Sequence, residues 1–492
     1  MAGGFGTRLR PLTINVPKPM VPIGNLPMME HVLNLLVKHG LTDVSSLLYF
    51  HPDHIRRHFH DGAAFGVKMD YFIPDDDLGT AGAVKYAVGE SDRPFIVISG
   101  DVLTNFNLSE VLSWHKEKKA DATILLTRVE NPIAYGIVIT DENGLITQFL
   151  EKPTWGEAFS DTINTGIYIL EPSAARLIPP GENFDFSQDL FPLMLKKGMR
   201  LFGKVTDGYW KDVGNIDEYR RAHYDLFAGD LTLDLKAQRR QTDKAVVIEG
   251  RNVRVGHDVM LSGTVILGND VVIEPGVSLH NCAIGDRSRI GTGCDFNDAV
   301  IWSGAQIGNE CRFSHTLVCA NVRVGRNVQT LDDVVIGDDC TVGDSATIKA
   351  NCKIWPGKTV DEGAIVSSSL VWGDKWNREL VTESKISGLA LTEITPEMSV
   401  KLGAAFGATL GAGAAVVSSR DASDVSRLLR RGLISGLMAS GVNVFDLETM
   451  PVPVVRYALS KGKYAAGIYV RHHPTDYRIL DFIDRKSVVR ER

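Results

Sequence analysis

The stretch Met1-Ala2-Gly3-Gly4-Phe5-Gly6-Thr7-Arg8-Leu9-Arg10-Pro11-Leu12-Thr13, followed by Pro17-Lys18-Pro19, decides how the chain is read. Gly3, Gly4 and Gly6 leave backbone N–H groups bare of side chains, so a triphosphate can lie directly against them. Arg8 adds a planar, forked cation and Lys18 a point charge. Pro11, Pro17 and Pro19 stiffen the segment that presents Lys18. No Gly-Lys-Ser/Thr closes the loop, so it is not a P-loop, and it is not Gly-x-Gly-x-x-Gly ahead of a long helix. A flexible, glycine-rich chain end fits the same letters, so the rest of the sequence has to decide.

At 492 residues the chain is too long for one core and suggests roughly three domains. A net charge of −7 argues against nucleic acid or an anionic membrane as the main partner. Anionic substrates then require locally basic pockets. No apolar run approaches the ~18 residues of a membrane span, and no secretory signal pattern opens the chain. Cys282, Cys294, Cys311, Cys319, Cys340 and Cys352 all fall in one middle region without a Cys-x-x-Cys pair. They read as reduced, buried, small apolar residues of a cytoplasmic protein rather than as disulfides.

Residues 1–230 alternate helical and strand patterns. His31–His39 reads as an amphipathic helix; Val44–Phe50, Pro94–Ser99, Ala122–Thr127 and Ile137–Thr140 read as strands. Such alternation predicts an α/β sheet with ligands outside the carboxyl ends of its strands. Asp101, after a strand and Gly100, suits either a hard divalent cation or the cap of a following helix. Asp212, within Tyr209-Trp210-Lys211-Asp212-Val213-Gly214, offers a second carboxylate, and magnesium needs only one or two from the protein. Glu151-Lys152 offers a carboxylate for sugar hydroxyls and an ammonium for a sugar phosphate, or simply a solvated pair. Asn164 and Thr165 fit a site or a turn, and Gly136 after Tyr135 a site or a bend. Leu78-Gly79-Thr80-Ala81-Gly82 lets a flat base approach backbone, and equally well begins a helix.

Together, Gly-Gly-x-Gly-Thr-Arg-Leu, Pro-Lys-Pro, Leu-Gly-Thr-Ala-Gly, Ser-Gly-Asp, Glu-Lys-Pro, Asn-Thr-Gly and Trp-x-Asp-x-Gly resemble the sugar-1-phosphate nucleotidyltransferase family. The Leu-Gly-Thr-Ala-Gly form and the downstream architecture look most like its mannose-1-phosphate guanylyltransferases. The resemblance implies a Rossmann-like mixed-sheet domain, Mg²⁺ and two substrates, GTP and a hexose 1-phosphate. It places Ala2, Gly3, Gly4, Gly6, Thr7, Leu78, Gly79, Thr80 and Gly100 at the nucleotide. Arg8 would hold the departing pyrophosphate and Lys18 the α-phosphate. Asp101 and Asp212 would bind the metal, Lys152 the sugar phosphate, and Glu151 and Asn164 the hexose, with Gly136 and Thr165 nearby. UTP, dTTP or ATP with glucose 1-phosphate is the runner-up, and a non-catalytic nucleotide-sugar-binding regulatory subunit a third reading. The family also places a short apolar strand immediately before the glycine loop, whereas Met1 lies inside the motif. The expectation is a weakened nucleotide loop, with activity and melting temperature rising once five or six upstream apolar residues are restored.

After a charged connector (231–245), residues 246–372 change period. Aliphatic residues recur every six positions at Val255, Leu261, Leu267, Ile273 and Leu279, slip by one, and resume at Ile284 and Ile290. They lock again at Val324, Thr330, Ile336, Val342, Ile348, Ile354 and Val360, several followed by glycine. This is a β-helix signature. It resembles the hexapeptide repeat of left-handed parallel β-helices, whose expected role here is a rigid arm that sets a homo-oligomer. His257, His280 and His315 raise the alternative of an acyltransferase edge, against ordinary exposed turn histidines.

Residues 385–484 return to an α/β pattern, with Thr395-Pro-Glu397 capping a helix, a strand at Ala414–Ser418, a loop at Ser419-Arg420-Asp421, a helix over Val425–Ser440, and Val442–Leu447 leading into Met450-Pro-Val-Pro453. They resemble a truncated first domain of phosphohexomutases. The stretch Tyr469-Val470-Arg471-His472-His473-Pro474 puts Arg471 where that family has its phosphoserine, so no nucleophile remains and mutase activity is not expected. Arg471 and His472 suit an anion or an exposed polar loop. Residues 485–492 read as a non-native tail.

Overall fold

The computed structural model describes residues 1–4, 6–74, 76–129, 131–151, 160–371, 375–376, 385–391, 394–472 and 479–484. It divides into two compact units, Met1–Thr359 with Ile365–Ser369, and Val360–Ala364 with Leu370–Arg492.

The first unit opens with a Rossmann-like α/β domain. Its main sheet runs Leu201–Val205, Ala122–Arg128, Thr162–Leu170, Gly136–Thr140, Ile146–Glu151, and Phe95–Val97 also pairs with Thr162–Leu170. A separate parallel pair joins Asp43–Leu47 to Lys68–Phe72. Helix Met28–Lys38 buries Met28, Met29, Val32, Leu33, Leu35 and Leu36, starting three residues earlier than the pattern suggested because Pro27 sits at its cap. Between the edges of Asp43–Leu47 and Phe95–Val97 lies a cavity of about 540 Å³, walled by Val32, Leu36, Val44, Val84 and Ile96. Met1 and Ala2 close one end of it like the last rung of a strand. The Ala2 N–H donates to Leu47 O at 2.8 Å, and the Gly100 N–H donates to Met1 O at 2.7 Å.

The repeat region is a parallel β-helix. Neighbouring coils pair in register, so the hexads fill its interior: Leu267, Ile273, Leu279, Ile284, Ile290, Ile336, Ile348 and Ile354 are at most 2% exposed. Val255, 43% exposed, and Leu261, half-buried, are the exceptions, because no strand of a preceding coil pairs with either. The slip has a structural counterpart. Val272 pairs with Arg289, Arg289 with Gln306 and Gln306 with Arg323, steps of 17, whereas Arg254–Val272 and Arg323–Thr341 are steps of 18. The six cysteines are all free and buried. The stretch read as a connector carries a strand, Gln238–Gln241, antiparallel to Ala245–Glu249.

Helix Ile216–Ala228 joins these two regions. Asn215 caps it by accepting from the Glu218 N–H at 2.9 Å. Its apolar face, with Tyr219, Ala222 and Leu226, shares one core with Leu9, Leu12, Val21 and Ile23 of the signature segment. The same core takes in Ile266, Trp302, Leu317 and Val335 of the β-helix. Trp302 Nε1–H donates to Tyr219 Oη at 2.9 Å, and that hydroxyl donates to Pro22 O at 2.7 Å.

The second unit is an α/β domain with sheet order Lys385–Leu389, Ile479–Asp484, Ala466–His472, Ala415–Arg420, Asn443–Thr449. Thr395 caps helix Pro396–Leu410, accepting from the Met398 N–H at 3.1 Å. That helix crosses Asp424–Ala439 so closely that a Cβ on Gly403 would lie 2.1 Å from Leu433 O, and one on Gly436 2.0 Å from Val400 O. The glycines of 403–413 therefore divide between a helix crossing and a turn. Among the described residues no helix is long and apolar enough to cross a membrane.

Candidate active site

Strand Trp210–Asp212 runs antiparallel to Val102–Thr104, and Asp212 pairs with Val102. That register brings Asp212 beside Asp101, 111 residues earlier in the chain. Lys18, at the head of a single 3₁₀ turn after Pro17, reaches between them: its Nζ lies 2.7 Å from Asp101 Oδ2 and 3.1 Å from Asp212 Oδ1. Burial works against the Lys18 charge, yet the two carboxylates overcome it and hold the ammonium above its ordinary range. Burial likewise opposes the Asp101 charge. The Lys18 ammonium and the Ser99 hydroxyl outweigh it and hold the carboxyl below the usual range. One cation faces two anions, so the cluster keeps a net negative charge.

Arg8 is exposed and stands at the same mouth: a Cβ on Gly214 would lie 3.4 Å from an Arg8 guanidinium nitrogen and 3.5 Å from Asp212 Oδ2. The bare backbone opens onto a cavity of about 540 Å³ lined by Ala2, Gly3, Gly4, Leu78, Gly79 and Thr80, with Asp101 at its edge. A Cβ on Gly4 would meet nothing within 4 Å, which is the open approach that a phosphate needs. Gly6 and Gly100 do different work. Gly6 has φ +59°, with Lys18 Cβ 3.2 Å from where its own Cβ would be. Gly100 hydrogen-bonds Met1 O, and Thr7 begins a 3₁₀ turn. All three shape the loop rather than line the cavity.

Leu78–Gly82 satisfies both of its readings. It caps and begins helix Gly79–Val88 and also lines the cavity. Gly79 is required there, since φ is +66° and a Cβ would lie 2.7 Å from Phe184 O. The facing wall, Asn183, Asp185, Gln188 and Asp189, was not foreseen. Thr80 Oγ1 donates to Asp185 Oδ2 at 2.7 Å, and Asp185 also caps the short helix that follows. Nothing in the letters of that segment marks it beyond an ordinary cap.

The sugar side is thinner. Gly136 is buried and pairs through its backbone with Glu151; Lys152 lies outside the described residues. Asn164 donates to Tyr168 Oη at 3.0 Å and accepts from the Gly166 N–H at 2.9 Å, at a bulge between Asn164 and Tyr168. Thr165 corrects its expected role. It is 1% exposed, and its hydroxyl donates inward to Leu125 O at 2.7 Å, so it holds the bulge and cannot reach a sugar phosphate. Of the repeat's histidines, His257 sits at a turn and His315 at a bend, where it bonds Asp332 at 3.0 Å, whereas His280 is exposed on strand Ser278–Ile284. In the second unit His472 pairs with Asp421 at 3.3 Å, while His473 and Pro474 lie outside the described residues.

A glycine loop at a sheet's edge, with a lysine between two aspartates, defines a protein that handles nucleotide phosphates. Comparison with known proteins gives the family. Residues 1–229 match the nucleotidyl transferase family, 244–348 the EIF2B subunit epsilon LbH domain, and 378–488 the alpha/beta/alpha domain I of phosphoglucomutase/phosphomannomutase. The chain is 33% identical to a mannose-1-phosphate guanylyltransferase of Mycobacterium tuberculosis over 60% of its length and 81% of the relative's. It is 34% identical to a UTP–glucose-1-phosphate uridylyltransferase of Synechocystis over 71% and 89%. It is 30% identical to a probable mannose-1-phosphate guanylyltransferase of rice, Oryza sativa subsp. japonica, over 68% and 94%. The chain belongs to the sugar-phosphate nucleotidyltransferases and is a nucleotidyltransferase. Members of this family generally use a divalent metal.

Proposed function

We propose that the chain converts GTP and mannose 1-phosphate into GDP-mannose and pyrophosphate. The observation that carries this reading is Lys18 held between Asp101 and Asp212, beside the open backbone of Gly3 and Gly4. A phosphate oxygen of the sugar 1-phosphate attacks the α-phosphorus in line. The bond from that phosphorus to the bridging oxygen breaks, and pyrophosphate leaves with the electron pair. The nucleophile is already ionised, so the step needs alignment and charge neutralisation rather than a general base. Lys18 steadies the α-phosphate, Arg8 the departing pyrophosphate, and Gly3 and Gly4 the triphosphate. Glu151, Lys152 and Asn164 take the sugar phosphate and hexose.

The residues present fit a hard divalent cation. Asp101 and Asp212 offer only oxygen donors, are one-fifth and one-third exposed, and already hold an ammonium between them. Magnesium bound there would supply charge neutralisation on the phosphates. Mutase activity is not expected of the second unit, because Arg471 stands in the nucleophile's place. Assembly into a homo-oligomer through the β-helix belongs to the same proposal. Met260 is 65% exposed near the first coil, and sedimentation checks it.

Pyrophosphate release, measured with GTP, UTP, dTTP and ATP against mannose 1-phosphate and glucose 1-phosphate, tests the assignment. Preference for GTP with mannose 1-phosphate is expected. The Synechocystis relative favours a second reading, and preference for UTP with glucose 1-phosphate would install it. Nucleotide-sugar binding without release from any pair would make the chain a regulatory subunit.

A further inference from the structure

Asp338 lies at a turn of the β-helix, 5% exposed. Among the described residues no Lys, Arg or His pairs with it, and burial pushes its carboxyl above the ordinary range. A buried carboxylate without a cation is costly, so what its oxygens do matters.

They do different things. Oδ1 accepts from the Ala320 N–H of the preceding coil at 2.9 Å. That contact recurs elsewhere in the repeat with a neutral side chain: Asn269 accepts from the Arg251 N–H at 3.0 Å and Asn309 from the Thr292 N–H at 3.1 Å. Coil stacking alone therefore does not need a charge. Oδ2 instead accepts from Asn15 Nδ2 at 3.0 Å, across 323 residues of sequence. Asn15 belongs to the signature segment, three residues before Lys18, with Val16 and the rigid Pro17 between. Val16 packs against the core shared by Leu12, Leu317, Cys319 and Val335. At the other end of the loop, Thr13 Oγ1 donates to Gly6 O at 2.7 Å. The segment that carries Lys18 is thus tied at its front to its own glycine turn and at its back to the repeat.

We propose that Asp338 is a positioning residue for nucleotidyl transfer: through Asn15 it fixes the loop that aims Lys18, and it makes the β-helix part of the catalytic apparatus. The proposal rests on nucleotidyl transfer at this site and holds for whichever NTP and sugar phosphate are used.

Asn15→Ala severs only the loop arm, and Asp338→Ala severs both arms. Asn15→Ala should lower kcat/KM for the NTP by about 10- to 100-fold, the scale of a displaced positioning group, with an unchanged melting temperature. Asp338→Ala should show the same kinetic loss plus a lower melting temperature, and the double variant no further kinetic loss. Asn15→Asp sets a second carboxylate against the first and should lose at least as much; adding Asp338→Asn restores an amide–carboxylate pair and should recover the rate. Wild-type kcat/KM in Asn15→Ala, additive losses in the double variant, or no recovery in the swap would each overturn the proposal. Calorimetric affinity for GTP and UTP reads the same loop without turnover. A wild-type chain that binds but does not react therefore defeats the proposed reaction, and unchanged affinity in Asn15→Ala defeats the positioning role.

Discussion

Two charge clusters, one in each unit, contain similar residues in opposite balance. Lys18 faces two carboxylates that are one-fifth and one-third exposed beside an open cavity. Arg430 faces a single carboxylate: its guanidinium forks onto both oxygens of Asp446, tying helix Asp424–Ala439 to strand Asn443–Thr449. The first cluster carries a surplus anion and a way in, so it can exchange partners with metal and phosphate. The second pairs one cation with one anion through two parallel bonds, with Arg430 5% exposed. Surplus charge at an opening marks chemistry, whereas a matched fork in a packed layer marks architecture.

The sharpest way to break this contrast is Asp101→Ala. Loss of a metal and lysine partner should abolish turnover, a fall of about 10³-fold or more in kcat, while the fold survives. A normal rate of pyrophosphate release would remove Asp101 from the site. Next in size is the edge cavity between Asp43–Leu47 and Phe95–Val97. Five or six apolar residues added ahead of Met1 would extend the rung that Ala2 forms with Leu47 and Leu48 and pair with both edges. We expect the melting temperature to rise by about 5 °C, on a scale of about 2–4 °C per kcal/mol, and activity to rise with it. No change in either would mean that the cavity does not take a strand. Smaller still, Arg430→Ala should cost the second unit about 2 kcal/mol, because Asp446 is 43% exposed and water offsets part of its loss. Nucleotidyl transfer should be untouched. Calorimetry and a rate assay on the same sample decide.

What could be read in advance follows the range of the interaction. The glycine loop, the hexads and the helix caps are local, so Gly3, Gly4, Ile336 and Thr395 announce themselves in the letters. Asp101 was legible only through the motifs around it, since a carboxylate after a strand and a glycine suits a helix cap equally well. The antiparallel register that sets Asp212 beside it was not, since strand pairing between distant segments leaves no local mark. The wall of Asn183, Asp185 and Gln188, and the tie from Asn15 to Asp338, were hidden for the same reason. Thr165 misled for another: a polar residue in a motif can serve a buried backbone acceptor as well as a ligand.

The smallest effect is one of pH, and it separates site from scaffold. Asp101, held below its ordinary 3.8, contributes stability above that value and loses it only as pH falls through the depressed one. Lys18, held above 10.5, contributes below that value and loses it only as pH rises past the raised one. Across about pH 5 to 9 Lys18 and Asp101 therefore keep their charges, and an acid limb in the rate should track the second ionisation of the sugar phosphate, near about 6. The scaffold behaves otherwise. His223 is buried behind the loop, its Nδ1 3.1 Å from Tyr219 O and its Nε2 accepting from the Gly24 N–H at 3.4 Å. Burial lowers it from 6.5 to about 4. Stability linked to neutral His223 is whole above pH 6.5 and drains between 6.5 and about 4. Melting temperature should thus begin to fall below 6.5, and His223→Gln should flatten that slope while leaving the rate profile in place. If the substitution moved the rate profile instead, the loop that His223 supports would be titrating with it, and the line drawn between site and scaffold would have to be redrawn.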